Sequence, residues 1–127
     1  MNMGMIGVAA VLGIAAIGSA IGIGTAGQAA IGAWKRNYMA NKPASFLLVV
    51  FAGAPLTQTI YGFILMQRMA VSTKDPALLL GAGVIGGLAM ALSAIAQGKA
   101  GAASSDAFGE TGKGFGQYIT VVGLCET

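Results

Sequence analysis

The chain has 127 residues, which is enough for one domain. Hydrophobic residues make up 56% of it and charged residues 9%, whereas soluble globular chains carry about 25% charged residues. This composition excludes a compact soluble protein, and the high hydrophobicity excludes intrinsic disorder. The net charge of +3 is too small and too scattered for a nucleic-acid-binding surface, so we expect no nucleic-acid partner. We predict a single membrane domain over residues 1–127.

Charged residues divide the chain into apolar runs. Three runs lack charge and meet the need of a transmembrane helix for about 20 apolar residues: 1–34, 44–67 and 76–98. The second helix is predicted to begin directly after Pro43. Asp75 followed by Pro76 is typical of a helix start, because aspartate caps the helix and proline is tolerated in its first turn. The polar stretch 99–113 is predicted to form the third link, with a loop at residues 109–116, which contain four glycines. The last run, ending at Cys125, is too short to span a bilayer.

Basic residues predict the orientation in the membrane. The first and third links together carry five of them and the second link carries two: Lys35, Arg36, Lys42, Lys99 and Lys113 against Arg68 and Lys74. Because short cytoplasmic loops carry an excess of Lys and Arg, we expect the first and third links in the cytoplasm. The N-terminus would then lie outside.

The chain contains an internal repeat. Residues 18–30 and 92–104 are identical at seven of thirteen positions at an offset of 74. At an offset of 68, Leu56 and Thr59 match Leu124 and Thr127, and Gln58 falls opposite Glu126. Internal repeats are common in transport proteins. We predict an all-α membrane protein of two tandem transmembrane helical hairpins in the same orientation, residues 1–70 and residues 71–127.

Glycine is concentrated in the first and third helices. Small residues four apart, such as Gly18 and Gly22 or Gly83 and Gly87, allow helix backbones to approach closely in lipid. The second helix is bulky and aromatic by comparison. Small helices fit the inner side of a curved wall and bulky helices fit the outer side, so the pattern favours a ring of hairpins. Ordinary dimer packing is the alternative.

One acidic residue, Glu126, stands in an apolar run, where an ionisable group costs about 2.5 to 3.5 kcal/mol. A proton or a cation could neutralise it. Neutral oxygens suited to Na⁺ are available from Thr57, Gln58 and Tyr61 of the second helix, and Gln97 lies in the third. Pro55 also frees a backbone carbonyl one turn earlier, near Phe51. Each polar residue alone is explained by hydrogen bonding between helices, but together they favour ion binding.

Three segments carry a family resemblance: PLTQTIYG at 55–62, IAQGKAGAA at 95–103 and the terminal LCET. They resemble the proteolipid subunit (subunit K, or c) of V-type and A-type rotary ATPases. The resemblance implies a ring of identical subunits in a prokaryotic cell membrane that turns against a stator subunit and contacts central-stalk subunits. Such a subunit is not itself an enzyme. It needs no cofactor, and it carries Na⁺ or H⁺ coupled to ATP hydrolysis or synthesis.

The resemblance also implies roles for individual residues. Glu126 is the ion-carrying carboxylate. The Na⁺ ligands are the side chains of Thr57, Gln58 and Gln97 and the backbone carbonyl of Ala54. Tyr61 donates a hydrogen bond to the glutamate and helps to close the site. We expect Na⁺ rather than H⁺, because the neutral oxygens outnumber what a protonated glutamate needs.

The chain departs from the family at its end. The family's fourth helix continues well beyond its glutamate, whereas this sequence stops at Thr127, so the second hairpin is expected to be truncated. Two other functions stay open on the residues alone. One is a small self-contained oligomeric transporter or channel with an intramembrane glutamate, and the other is a structural oligomeric membrane protein.

Overall fold

The computed structural model describes residues 2–126, which form helices, turns and links without a β-strand. The helices are α1 (Met3–Met39), α2 (Leu48–Gly53), α3 (Thr57–Ala70), α4 (Pro76–Thr111) and α5 (Phe115–Leu124). A 3-10 turn at Ala54–Leu56 joins α2 to α3 as one span. Helix α1, the joined α2–α3 span and α4 are each long and apolar enough to cross a membrane. The predicted all-α fold is therefore confirmed.

Side-chain caps fix the first turns of the two long helices. The Asn2 Oδ1 accepts a hydrogen bond from the backbone N–H of Gly4 at 2.8 Å, at the start of α1. The Asp75 Oδ1 accepts from the backbone N–H of Ala77 at 3.0 Å, as the Asp-Pro pair predicts. Helix α4 ends at Thr111 and is followed by Gly112, whose backbone has a left-handed φ of 68° that glycine adopts at no steric cost.

The third link is shorter than the polar stretch 99–113, because most of that stretch is helical, and it lies within the predicted loop at residues 109–116. Helix α4 continues to Thr111, and its 36 residues span about 54 Å, well beyond the roughly 30 Å of a bilayer core. Arg36 on α1 forms an ion pair with Asp106, and its Nη1 lies 3.9 Å from the Glu110 Oε2. Each helix thus supports the polar end of the other, and the link shrinks to residues 112–114.

The second span begins later than predicted. The indole Nε1 of Trp34 donates a hydrogen bond to the backbone carbonyl of Ser45 at 2.7 Å. This bond holds the segment after Pro43 against α1, and regular helix begins at Leu48 instead. Residues 44–47, between Pro43 and the helix, are uncharged. Charge therefore does not distinguish them from the helix that follows, and the sequence predicts too early a start.

Helices α1 and α4 pack side by side in parallel with almost no space between their backbones. A Cβ on Gly83 would lie 2.0 Å from the carbonyl oxygen of Gly7, and one on Gly98 would lie 2.3 Å from the Cα of Gly22. Both facing pairs are 76 residues apart, close to the repeat offset of 74. Glycine therefore has the predicted packing role. Repeated positions of the two hairpins lie close to the same level of this helix pair.

The remaining helices form an outer layer. The α2–α3 span contacts both α1 and α4, and α5 contacts α4. Phe51, Phe108 and Phe115 join α2, α4 and α5 near one end, with ring centroids 5.2 to 6.4 Å apart. The small-residue helices thus form one layer and the bulkier helices the other. This arrangement brings the 3-10 turn beside α4 and the end of α5.

Candidate ion-binding site

Two glutamine side chains meet the end of α5 in the interior of the bundle. Gln58, in the first turn of α3, and Gln97, on α4, are each only 2% exposed. Glu126 follows α5 and is half-buried. The structure thus brings together the two positions that the repeat places opposite each other, Gln58 and Glu126, and adds Gln97 from the third long helix.

Two oxygen atoms at this place are buried without a hydrogen-bond partner among residues 2–126. They are the Oε1 atoms of Gln97 and Glu126. The Nε2 of Gln97 donates to the backbone carbonyl of Val122 at 3.1 Å, which leaves its amide oxygen free. A buried acceptor without a donor is unfavourable by about 1 to 3 kcal/mol, and more if it is charged. A cation or a proton would satisfy these oxygens.

The amide of Gln58 is held by a chain of hydrogen bonds. Its Nε2 donates to the Oγ of Ser93 at 3.0 Å and to the backbone carbonyl of Glu126 at 3.2 Å. Ser93 in turn donates its one proton to the backbone carbonyl of Cys125 at 2.5 Å. Because the serine oxygen must then accept from Gln58, the network assigns the amide nitrogen to this side. The amide oxygen of Gln58 takes part in neither bond and is left as a possible ligand.

Ala54 begins the 3-10 turn, and Thr57 follows the turn as the first residue of α3, immediately before Gln58. The Thr57 Oγ1 donates to the backbone carbonyl of Ala54 at 3.0 Å, so these two predicted ligands contact each other. The carbonyl that Pro55 frees at Phe51 lies elsewhere. It faces Gly101, where an added Cβ would approach it to 2.6 Å. The carbonyl near Phe51 therefore packs on α4, one turn beyond Gln97.

Tyr61 lies one turn after Thr57, on the outer surface of α3. Its side chain is 44% exposed, and within residues 2–126 it makes no hydrogen bond to Glu126. The site-closing role of Tyr61 stays a prediction. So does ligation by the five predicted residues, although the structure places all of them at one level of the bundle.

The other acidic side chains among residues 2–126 lie outside the site. Asp75 caps α4, and Asp106 and Glu110 are exposed beside Arg36. The described part of the chain holds no group of three His, Cys, Asp or Glu that could bind a metal ion. The donor set at the end of α5 is thus one carboxylate with neutral oxygens. Such hard donors suit a light cation rather than a transition metal.

Sequence reasoning missed two serines that contact the site. Ser93 joins Gln58 to Cys125, and Ser19 donates from α1 to the backbone carbonyl of Pro55 at 2.8 Å. Both belong to the repeated triplet SAI at residues 19–21 and 93–95. The repeat was visible in the sequence, but nothing in it distinguishes a serine that crosses to another helix from one that bonds within its own.

Comparison with known proteins agrees with this arrangement. The family model for the C subunit of ATP synthase matches residues 6–67 and 80–127, that is, each hairpin in turn. The chain is 35% identical over 128 residues to A-type ATP synthase subunit K of Methanocaldococcus jannaschii. That alignment covers 98% of this chain and 56% of the relative, so the chain spans about half the relative's length. No solved structure matches the chain.

The family match has two segments, and they fall on the two repeated hairpins. The family match and the three long apolar helices together identify an integral membrane protein. The repeat and the small-residue helix pair are thus explained by one assignment. The chain belongs to the ATP synthase C-subunit family.

Proposed function

We propose that this chain is the ion-carrying rotor subunit in the membrane sector of an A-type or V-type rotary ATPase. The observation that carries the proposal is the pair of buried, unpartnered oxygens on Gln97 and Glu126 inside a bundle of membrane spans. The similarity of the chain to an A-type ATP synthase subunit K supports the same role. The subunit is not catalytic, and ATP chemistry belongs to partner chains.

The proposed cargo is Na⁺. A proton on Glu126 would need a single acceptor, whereas the site offers the amide oxygens of Gln58 and Gln97, the Thr57 hydroxyl and the Ala54 carbonyl. One monovalent cation would neutralise the carboxylate and satisfy the orphaned amide oxygen of Gln97. The hydroxyl donates to the carbonyl at 3.0 Å, so these two oxygen atoms are already adjacent.

Ion transport then follows from neutralisation. Loaded with its cation, Glu126 is uncharged overall and passes lipid at low cost, and it exchanges the ion only where a stator subunit offers water and a counter-charge. Moving one charge across the membrane is worth about 2.3 kcal/mol per 100 mV, which couples rotation to the ion gradient. We place the links after α1 and α4 on the cytoplasmic side, in agreement with their excess of Lys and Arg.

Carbodiimide labelling tests the cargo. The reagent modifies a protonated carboxyl group, so we expect it to label Glu126 in membranes at constant pH, and we expect Na⁺ to slow the labelling in a saturable manner. The physical reason is that bound Na⁺ displaces the proton. Peptide mass spectrometry measures the modification of Glu126. Choline chloride at equal ionic strength is the control, and equal protection by choline and Na⁺ would leave H⁺ as the cargo.

The proposed ring rests on glycines that no packing contact among residues 2–126 explains. An added Cβ would meet no atom of these residues within 4 Å at four glycines of α1: Gly13, Gly24, Gly27 and Gly32. At the repeat offset of 74, Gly13 and Gly24 correspond to Gly87 and Gly98 of α4. The Cβ positions of those two would lie 2.9 Å or less from atoms of α1. Helix α1 thus carries, on its exposed side, a copy of the face that α4 uses internally.

Helix α4 carries the complementary face. Its Gly81 and Ala96 correspond to Gly7 and Gly22 of α1, and an added Cβ on Gly81 also meets nothing within 4 Å. The α4 helix of one copy can therefore pack on α1 of the next as α1 packs on α4 within the chain. This head-to-tail contact joins two different surfaces, and repeated around an axis it closes into a ring.

Native mass spectrometry of the complex in detergent tests the ring. We expect wild-type protein to form one species of many copies, and Gly24→Leu to shift it to smaller species because a bulky side chain separates α1 from the next α4. Gly116→Leu is the control, since Gly116 is exposed on α5 and also has no neighbour within 4 Å. A stable wild-type dimer would favour a self-contained transporter over a rotor.

A further inference from the structure

We infer that Ser19 and Ser93 are a matched pair of positioning residues for the ion site, an inference that rests on the proposed function. Neither belongs to the predicted ligand set. Each stands at the same place in its hairpin, since the two are 74 residues apart, which is the repeat offset. Each uses its hydroxyl proton to hold a backbone carbonyl of the outer layer.

These two serines differ from other hydroxyl side chains of the long helices. Thr25, Ser104 and Thr111 donate to the carbonyl four residues earlier in their own helix, at 2.7 to 2.9 Å. That bond is the ordinary solution for a hydroxyl in an apolar helix. Ser19 and Ser93 instead donate to carbonyls of other elements. Both therefore tie the inner helices to the outer layer at the level of the site.

Ser19 acts on the 3-10 turn. It is 2% exposed, and its Oγ donates to the carbonyl of Pro55, which is also buried. Pro55 is the central residue of the turn, flanked by Ala54 and followed closely by Thr57. The bond fixes the peptide plane beside the Ala54 carbonyl and the Thr57 hydroxyl. Without the serine hydroxyl, the buried carbonyl would keep its backbone donor, the Thr57 N–H, but it would lose its bond to α1, and the turn would be freer to shift.

Ser93 orients the side-chain amide of Gln58. The Ser93 hydroxyl donates its proton to the backbone carbonyl of Cys125, so its oxygen accepts a hydrogen bond from the Nε2 of Gln58. The amide oxygen of Gln58 is thereby kept available for the cation. Without the hydroxyl, the amide loses one of the two acceptors that orient it, and its flipped form would present N–H groups to a positive ion.

Na⁺ protection of Glu126 against a carbodiimide tests both serines in membranes containing the complete chain. For Ser19→Ala and for Ser93→Ala we expect the half-protecting Na⁺ concentration to rise about three- to tenfold, the range for loss of one hydrogen bond. The labelling rate without Na⁺ should stay at the wild-type value, because the carboxyl group and its access are unchanged. A purely structural role would alter both quantities together.

Ser104→Ala is the matched control, because Ser104 is a buried serine of α4 whose hydroxyl bonds only within its helix. We expect it to leave Na⁺ protection unchanged. If the alanine variants fail to assemble, Ser93→Thr and Ser93→Val provide the comparison, since the two side chains share a shape and differ in the hydroxyl. Threonine should then retain tighter Na⁺ protection than valine.

The outcomes separate the two proposals. Wild-type protein without Na⁺ protection would contradict the sodium site itself and leave no effect for the serines to modulate. Wild-type protection that is unchanged in Ser19→Ala and Ser93→Ala would overturn the positioning role alone. A loss of labelling without Na⁺ in both variants would also overturn it, since the serines would then be serving the fold rather than the cation.

Discussion

Replacing Glu126 with Gln is expected to reduce ion translocation to the level of membranes that lack the subunit. A neutral amide has no negative charge with which to hold a cation, and it neither gains nor loses a proton at neutral pH. The shape of the side chain is retained, so the bundle should assemble normally. Ion uptake into vesicles containing the whole ATPase, with ATP supplied outside, measures the effect.

Glu110→Gln is the matched control for this experiment. Glu110 undergoes the same chemical change, but it is 71% exposed at the polar end of α4, far along the helix from Gln97. We expect it to transport at the wild-type rate. Translocation by Glu126→Gln at a rate close to wild type would mean that the carried ion binds elsewhere, and the proposed function would fail.

Replacing Gly83 with Leu is expected to destabilise the pairing of α1 and α4 by at least about 3 kcal/mol, the upper end of the range for overpacking. The first carbon added at Gly83 would lie 2.0 Å from the carbonyl oxygen of Gly7. The obstacle is backbone, which has no alternative rotamer, so the helices must separate. In lipid, where such pairs depend on close packing, that separation removes their main attraction.

Unfolding of detergent-solubilised single chains, followed by circular dichroism, measures this loss. Gly81→Leu is the control, two residues away on the same helix, where an added Cβ meets no atom within 4 Å. We expect the control to be stabilised slightly, because leucine favours helix over glycine by up to about 1 kcal/mol. Equal unfolding midpoints for the two variants would contradict the observed helix packing.

Much of this fold could be predicted because the sequence is locally consistent. Uncharged runs predicted the three long spans, and the Asp75-Pro76 pair predicted the start of α4. The repeat offset predicted a parallel arrangement, which the facing glycines of α1 and α4 reproduce. These features depend on hydropathy, capping and residue size, and each of these can be read from the sequence alone.

The end of α4 could not be predicted in this way. Residues 99–111 are polar enough to read as a link, yet they remain helical beside α1, where Arg36 faces Asp106 and Glu110. That support comes from a partner about 70 residues away in the chain. Local polarity predicts exposure correctly here, but exposure to water on one side does not end a helix that is packed on the other.

The site was predictable in its residue types and less so in its internal bonds. Gln58, Gln97 and Glu126 converge as the repeat and the family pattern indicate. The roles of Ser19 and Ser93 depend instead on which carbonyl lies within reach of a hydroxyl, and helix packing alone decides that. Composition cannot distinguish them from Ser104, whose hydroxyl bonds within its own helix.

The parallel register of α1 and α4 has an electrostatic consequence. Two parallel helices align their peptide dipoles, so the partial negative charges of both C-termini gather at one end of the molecule. Asp106 and Glu110 add carboxylates to that same end. Arg36, in the last turn of α1, faces both carboxylates. Its guanidinium therefore offsets part of the repulsion between the negative ends of the two longest helices, which point the same way because the hairpin is duplicated.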